Sequence, residues 1–178
     1  MKLLLHICCA PCCVYPVKIL RRMGVAVIGF FYRHNIHPYQ ECIKREETLI
    51  EYANQIDLKI IQQSDYNIEN FFQSIVFREK DRCRFCYYER LKKTALIAKK
   101  GKFKYFSTTL LYSKYQNHSL IRQIGESIAK AYGLEFFYHD FRDGWKEGIE
   151  ASKRLDMYRQ QYCGCIYSEK ERFFMEHY

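Results

Sequence analysis

Lys2-Leu-Leu-Leu-His-Ile-Cys-Cys-Ala-Pro-Cys-Cys13 changes character half-way along, from apolar to cysteine-rich. Residues 2–7 form one short apolar run, and residues 25–32 (Val-Ala-Val-Ile-Gly-Phe-Phe-Tyr) form a second. Both have the length and composition of buried parallel strands. Between them Pro11 fits the first turn of a helix running to about Met23, which Gly24 ends. The alternation continues outward. Residues 38–56 place Tyr39, Cys42, Ile43, Leu49, Ile50, Ala53 and Ile56 near helical spacing, and a third strand fits 58–62. Helices fit 67–77 and about 84–100, a fourth strand fits 103–108, and a helix at 117–132 leads through Gly133 to a fifth strand at 134–138. Helices near 143–156 and 168–177 flank Cys163-Gly-Cys165. Alternating strands and helices with short connections predict one α/β domain over residues 1–178. Its sheet should be mostly parallel, Rossmann-like (HUP-like) and flanked by helices. Sites in such sheets form at the carboxyl ends of strands. Here those ends carry Cys8 and Cys9, the Tyr32–His37 loop, and Thr108 to Gln116.

A hydrophobic content of 48% and an aromatic content of 17% in 178 residues support a packed core and exclude disorder. No run approaches the roughly 18–20 apolar residues of a membrane helix. The opening Met-Lys-Leu-Leu-Leu-His faintly mimics a secretory leader. His6 and the cysteines end its apolar run, however, and no small-residue cleavage site follows. A cytoplasmic protein without a membrane partner is expected. The net charge is +9, and residues 78–104 carry eleven Lys/Arg against three Asp/Glu. Such a stretch reads either as a surface for a polyanion such as nucleic acid, or as a solvated helix face.

The nine cysteines are the strongest chemical signal. In a reducing compartment clustered cysteines mean metal or redox chemistry more often than structural disulfides, and an odd count argues against full pairing. Cys42 stands alone and reads as a small buried hydrophobe. The rest fall into three groups. Cys83-Arg-Phe-Cys86 opens a helix, where Arg82, Arg84 and the helix N-terminus favour thiolates. Zinc sites and thioredoxin-like motifs share that spacing, although a thioredoxin pair would follow the first strand directly. Cys8 and Cys9 supply a second pair if the turn at Pro11 redirects both side chains; otherwise one is a ligand and the other core. Cys12 and Cys13 are candidates for ligation or for packing. Cys163 and Cys165 could close a small strained, reducible disulfide, ligate a metal, or be unrelated loop residues. An iron–sulfur and redox site needs thiolates converging on one point, and these groups can supply them. A nucleotide is disfavoured at the first turn, because no glycine precedes Gly24 to bare the amides that cradle phosphate.

His6-Ile-Cys-Cys-Ala-Pro-Cys, Asn35-Ile-His-Pro-Tyr, Cys83-Arg-Phe-Cys-Tyr, Thr108-Thr-Leu-Leu-Tyr-Ser-Lys-Tyr-Gln and Tyr158-Arg-Gln-Gln-Tyr-Cys-Gly-Cys-Ile-Tyr-Ser resemble, in order, the cobalamin-independent epoxyqueuosine reductases of the QueH type. The resemblance runs from residue 3 to about 168. It implies reduction of the epoxide of epoxyqueuosine, at the tRNA wobble position, to the alkene of queuosine with release of water. It further implies a 4Fe–4S cluster held by Cys8, Cys9, Cys83 and Cys86, and a redox-active pair at Cys163 and Cys165. Some members hold an additional mononuclear iron through an Asp in the first loop; this chain carries Cys12 near that place. The partners implied are tRNA carrying epoxyqueuosine and an electron donor that the sequence does not identify. Asp140 and His37 are candidate proton donors, with bland readings as a helix cap and a loop hydrogen bonder. Tyr32, Asn35, Tyr115 and Gln116 sit where an extruded wobble base could stack or hydrogen-bond, with Arg159 and Gln160 as lesser candidates. Two other readings compete. A sulfur-transferring or pyrophosphatase-type tRNA enzyme is weakened by the missing phosphate loop, and a zinc-stabilised, non-catalytic RNA-binding module would use the same cysteines.

Overall fold

The computed structural model describes residues 1–174. Five strands, β1 (Lys2–Ile7), β2 (Ala26–Phe31), β3 (Ile60–Gln62), β4 (Tyr105–Thr108) and β5 (Glu135–Phe136), form one sheet in the order β3-β2-β1-β4-β5. Every pairing is parallel. Leu3, Leu4, Leu5 and Ile7 of β1 are fully buried, as expected of a central strand covered on both faces. Gly29 of β2 is fixed by close approach: a Cβ there would stand 2.5 Å from Ile60 Cδ1 and 2.8 Å from Ile7 Cδ1.

Helix α1 (Ala10–Arg22) packs against α2 (Tyr39–Gln55) and α6 (Trp145–Arg154). Helix α4 (Arg82–Lys100) packs on β1, β4, α3 (Ile68–Ile75) and α5 (His118–Tyr132). Strand order reverses at β1, so right-handed crossovers put the α1 and α4 groups on opposite faces. The predicted α/β, Rossmann-like architecture is present. Cys42 and Cys13 are buried in its core, so Cys13 packs and does not join the other thiols of its segment.

Four strands, β2 to β5, are shorter than the sequence predicts, and their starts share one reason. Each of the four helices that feed a strand ends with a left-handed residue, at Gly24, Asp57, Lys102 and Gly133. The next amide then bonds back five residues, as in Val25 N to Leu20 O, Leu58 N to Ala53 O, Phe103 N to Ala98 O, and Leu134 N to Ala129 O. Residues 25, 58, 103 and 134 thus serve helix ends and not ladders. Strand β5 also stops early because Phe137 O accepts the Ser107 hydroxyl in place of a further ladder amide. The last helix, α7, spans Ile166–Phe173, and residues 175–177 of the predicted helix lie outside the described residues.

Candidate active site

The β1/β4 boundary is the switch point of the sheet, where strand order reverses and a crevice opens beyond the carboxyl ends. Cys8 and Cys9 leave β1 there, and Thr108 and Thr109 leave β4. Cys9 caps α1 with an extended backbone before the turn at Pro11. That turn redirects the side chains: the sulfurs of Cys8, Cys9 and Cys12 all lie within 4.8 Å of one another, so a metal could be held there. The Cys8 amide donates to Thr109 Oγ1 at 3.3 Å, pinning the trio to β4. Hydrogen bonds from Cys12 and Cys9 hold the Cys8 thiol well below its ordinary range. Burial raises Cys9, and sharing its proton with Cys8 raises Cys12.

Cys83 and Cys86 occupy the first turn of α4. They do not belong to the group within 4.8 Å; buried Arg90 links Cys86, through His6, to the strand from which that group departs. Arg90 donates from Nε to Cys86 Sγ at 3.2 Å, from Nη1 to His6 Nε2 at 3.1 Å and from Nη2 to Asn35 O at 3.1 Å. Burial, then the Arg90 charge, pushes the His6 pKa down to about 3. With Nε2 accepting, the imidazole proton sits on Nδ1 and is donated to Thr108 Oγ1 at 2.8 Å. Arg90 therefore clamps the end of β1, the loop after β2 and the start of α4.

A second buried guanidinium seats the carboxyl-terminal turn. Arg45 of α2 donates to Cys163 O at 2.8 Å and Tyr162 O at 3.0 Å, and is held by Glu41 at 2.7 Å. The His37 amide donates to Gly164 O at 2.8 Å, and the Tyr162 hydroxyl donates to His37 O. Gly164 suits this close seating, since a Cβ would come within 3.2 Å of Asn35 O, tighter than an ordinary contact. Gln160 donates from Nε2 to Cys9 Sγ at 2.9 Å and Cys12 Sγ at 3.5 Å, while its buried Oε1 has no partner among the described residues. Gln116 donates to Cys163 Sγ at 3.4 Å, and the Tyr87 hydroxyl, bonded to Gln116 Oε1 at 2.9 Å, orients that amide. Cys163 is exposed. The surrounding protein, then the Cys86 charge, pushes its pKa up to about 12. Cys163 and Cys165 are free thiols.

The other predicted residues divide. Tyr32 and Asn35 are 2% and 1% exposed, so they line the inside of the site and not its mouth. Asn35 ties its loop to α4 through Cys86 O at 3.4 Å. His37 is buried between Phe71 and Phe72 and donates from Nε2 to His34 O at 2.8 Å. Burial lowers its pKa to about 4, so it is neutral, and its main chain is what contacts the Cys163 turn. Asp140 accepts from Arg142 N at 3.0 Å and Nε at 2.9 Å, and that partner holds its pKa at about 2. That partner favours the ionised carboxylate, and Asp140 stands one residue before Phe141, the N-cap of the turn Arg142–Gly144. Tyr115 is exposed, edge-on to Trp145 at 5.7 Å, and Arg159 is exposed. Sequence reasoning missed Arg90, Arg45, Tyr87, His6 and Thr109 as site residues. Only Arg90 carries a signal, four residues after Cys86 on one helix.

The family model described as "Epoxyqueuosine reductase QueH" matches residues 3–171. The chain belongs to that family. Among curated relatives, the epoxyqueuosine reductase QueH of Dehalococcoides mccartyi is 38% identical over 172 residues, covering 97% of this chain and 94% of that protein. The protein of the same name from Thermotoga maritima is 37% identical over 179 residues, covering 95% and 91%. A solved structure described as a predicted subunit of tRNA methyltransferase from Methanocaldococcus jannaschii shares the fold, with a TM-score of 0.56 at 11% identity over 85% of this chain and 74% of that one. As a QueH member the chain is an oxidoreductase. No helix among its described residues is long and apolar enough to cross a membrane.

Proposed function

We propose that this QueH chain reduces the epoxide of epoxyqueuosine at the tRNA wobble position to the alkene of queuosine, releasing water, within one cytoplasmic α/β domain. The observation that carries the reading is the grouping of Cys8, Cys9 and Cys12, together with two buried guanidiniums of which Arg90 holds the Cys86 sulfur and Arg45 the main chain of Cys163.

Removing the oxygen takes two electrons and two protons: both C–O bonds break, C=C forms, and the oxygen leaves as water. Cys163 and Cys165 can supply the full set by closing a disulfide, each thiol giving one electron and one proton. A thiol pushed up to about 12 keeps its proton at neutral pH, so Cys163 Sγ holds one ready for the departing oxygen. Gln116 orients that sulfur, and Gly164 lets it sit against the Asn35 loop. An external electron donor then reopens the disulfide.

The donor set fits a metal–sulfur group, being all soft thiols with Arg45 and Arg90 to offset their charge. When bound, a 4Fe–4S cluster on Cys8, Cys9, Cys83 and Cys86 supplies one-electron transfer and a Lewis-acidic iron. Cys12 is the residue this chain offers to an additional mononuclear iron. Gln160, donating to Cys9 and Cys12, holds their sulfurs in place, while Tyr115 and Arg159 at the mouth are the exposed contacts for the extruded base and its backbone.

The test is anaerobic incubation of iron-replete protein with tRNA containing epoxyqueuosine and a reductant, reading the nucleoside by mass. Queuosine should appear. Absence of conversion by brown, iron-containing protein would sink the reading, and a colourless zinc protein that binds RNA would favour the non-catalytic module.

A further inference from the structure

Helices α3, α4 and α5 enclose a groove of about 740 Å³ on the molecule's flank. Ile75, Phe85, Ile124 and Ile128 floor it, and Arg78, Arg84 and Tyr88 stand along its sides with one carboxylate, Asp81. The volume falls in the range of about 300–1,000 Å³ that holds ligands. At about 100° per residue, Arg84, Tyr88 and Lys92 form a stripe on the face of α4 roughly opposite Cys86 and Arg90. The groove is thus a separate surface from the thiol site.

Three observations point to one kind of occupant. Tyr88 is an exposed aromatic, and Lys92 Nζ lies over its ring at 5.3 Å. Arg78, Arg84 and Lys92 make no ion pair among the described residues. Beside the groove, Phe77 is 94% exposed and sits at φ 62°, a left-handed backbone that is costly for every residue except glycine. A glycine there would relieve the strain and remove a large apolar side chain from water. Neither packing nor backbone geometry explains a phenylalanine in that place. Aromatic rings interleaved with unpaired cations match single-stranded nucleic acid, whose bases stack and whose phosphates need counter-charge.

We propose that this groove binds an unpaired stretch of the RNA partner, with bases stacking on Phe77 and Tyr88 and phosphates meeting Arg78, Arg84 and Lys92. The inference rests on the reading of tRNA as substrate, and it adds a docking surface apart from the base whose epoxide is reduced.

Binding of an unmodified anticodon stem–loop, measured by fluorescence anisotropy, tests it without any chemistry. Phe77→Gly and Tyr88→Ala should each weaken binding about tenfold. Arg84→Glu should lower the slope of log affinity against log salt by about one. Iron content should be unchanged, and the melting temperature of Phe77→Gly should not fall. Parental affinity in all three variants overturns the proposal. So does intact RNA binding combined with slower reduction by a protein electron donor, which would make the groove the dock of an acidic redox partner. A parent protein that does not bind the stem–loop overturns this inference. Binding through the groove with no queuosine formed supports it, and overturns the reductase reading instead.

Discussion

Replacing Arg90 by Met keeps most of the buried stem and removes the guanidinium, so three hydrogen bonds go at once. Two of the acceptors left behind, His6 Nε2 and Asn35 O, belong to residues that are 0% and 1% exposed and cannot recruit water without opening the core. An orphaned buried acceptor costs about 1–3 kcal/mol, giving about 2–6 kcal/mol for the pair. Relief from burying a guanidinium offsets part of this, leaving about 2–4 kcal/mol. The assay is urea unfolding of the anaerobic apo protein, where no metal contributes. Coupling sharpens it: with His6→Leu already in place, Arg90→Met should cost about 1 kcal/mol or more less, because one orphan has gone. Reconstituted Arg90→Met should also take up less iron, since Cys86 loses the donor that positions it. A variant within about 0.5 kcal/mol of the parent, with additive behaviour and full iron content, would refute the clamp.

Other outcomes bear on single residues. Cys83→Ala should lose metal and turnover together, and full metal retention removes it from the ligands; Cys163→Ser should keep metal and lose turnover, whereas metal loss would make that sulfur a ligand. Gly164→Ala must move either the turn or Asn35 O by a few tenths of an ångström, so a loss of about 1–3 kcal/mol with slowed turnover is expected in unfolding and kinetic assays. His37, at about 4 folded against 6.5 unfolded, takes up its proton more readily when unfolded, so its contribution is whole above pH 6.5 and disappears as pH falls through 4. That contribution amounts to at most about 3 kcal/mol. His37→Phe should flatten the acid limb of stability against pH over that window, and an unchanged limb would show that the imidazole does not titrate with folding.

Much of the fold was legible because apolar runs, helical spacing and glycine stops are local properties. The starts of β3 and β4 were not, because Asp57 and Lys102 adopt the left-handed turn that Gly24 and Gly133 announce openly. At the site, the pairing of Cys8 with Cys9 followed from a strand running into a proline turn, whereas the sequence left Cys12 open between ligation and packing, and only the folded chain sets it beside them. Counting charges misled at Arg90, which adds to the basic tally of its stretch yet is 3% exposed and serves the thiols. Asp140 looked reactive from its place after a strand, but its function is decided by Arg142 two residues on. Arg45 and Tyr87 reach the site across 118 and 29 positions, and no local pattern encodes such meetings.

Gln160 touches a sulfur that was synthesised 151 residues earlier. On the ribosome, then, the first thiols emerge long before the amide that will hold them, and they wait through most of translation as an uncovered cluster. Completion of this centre is a late event of biogenesis, and delivery of metal before the final segment emerges would meet an unfinished receptacle.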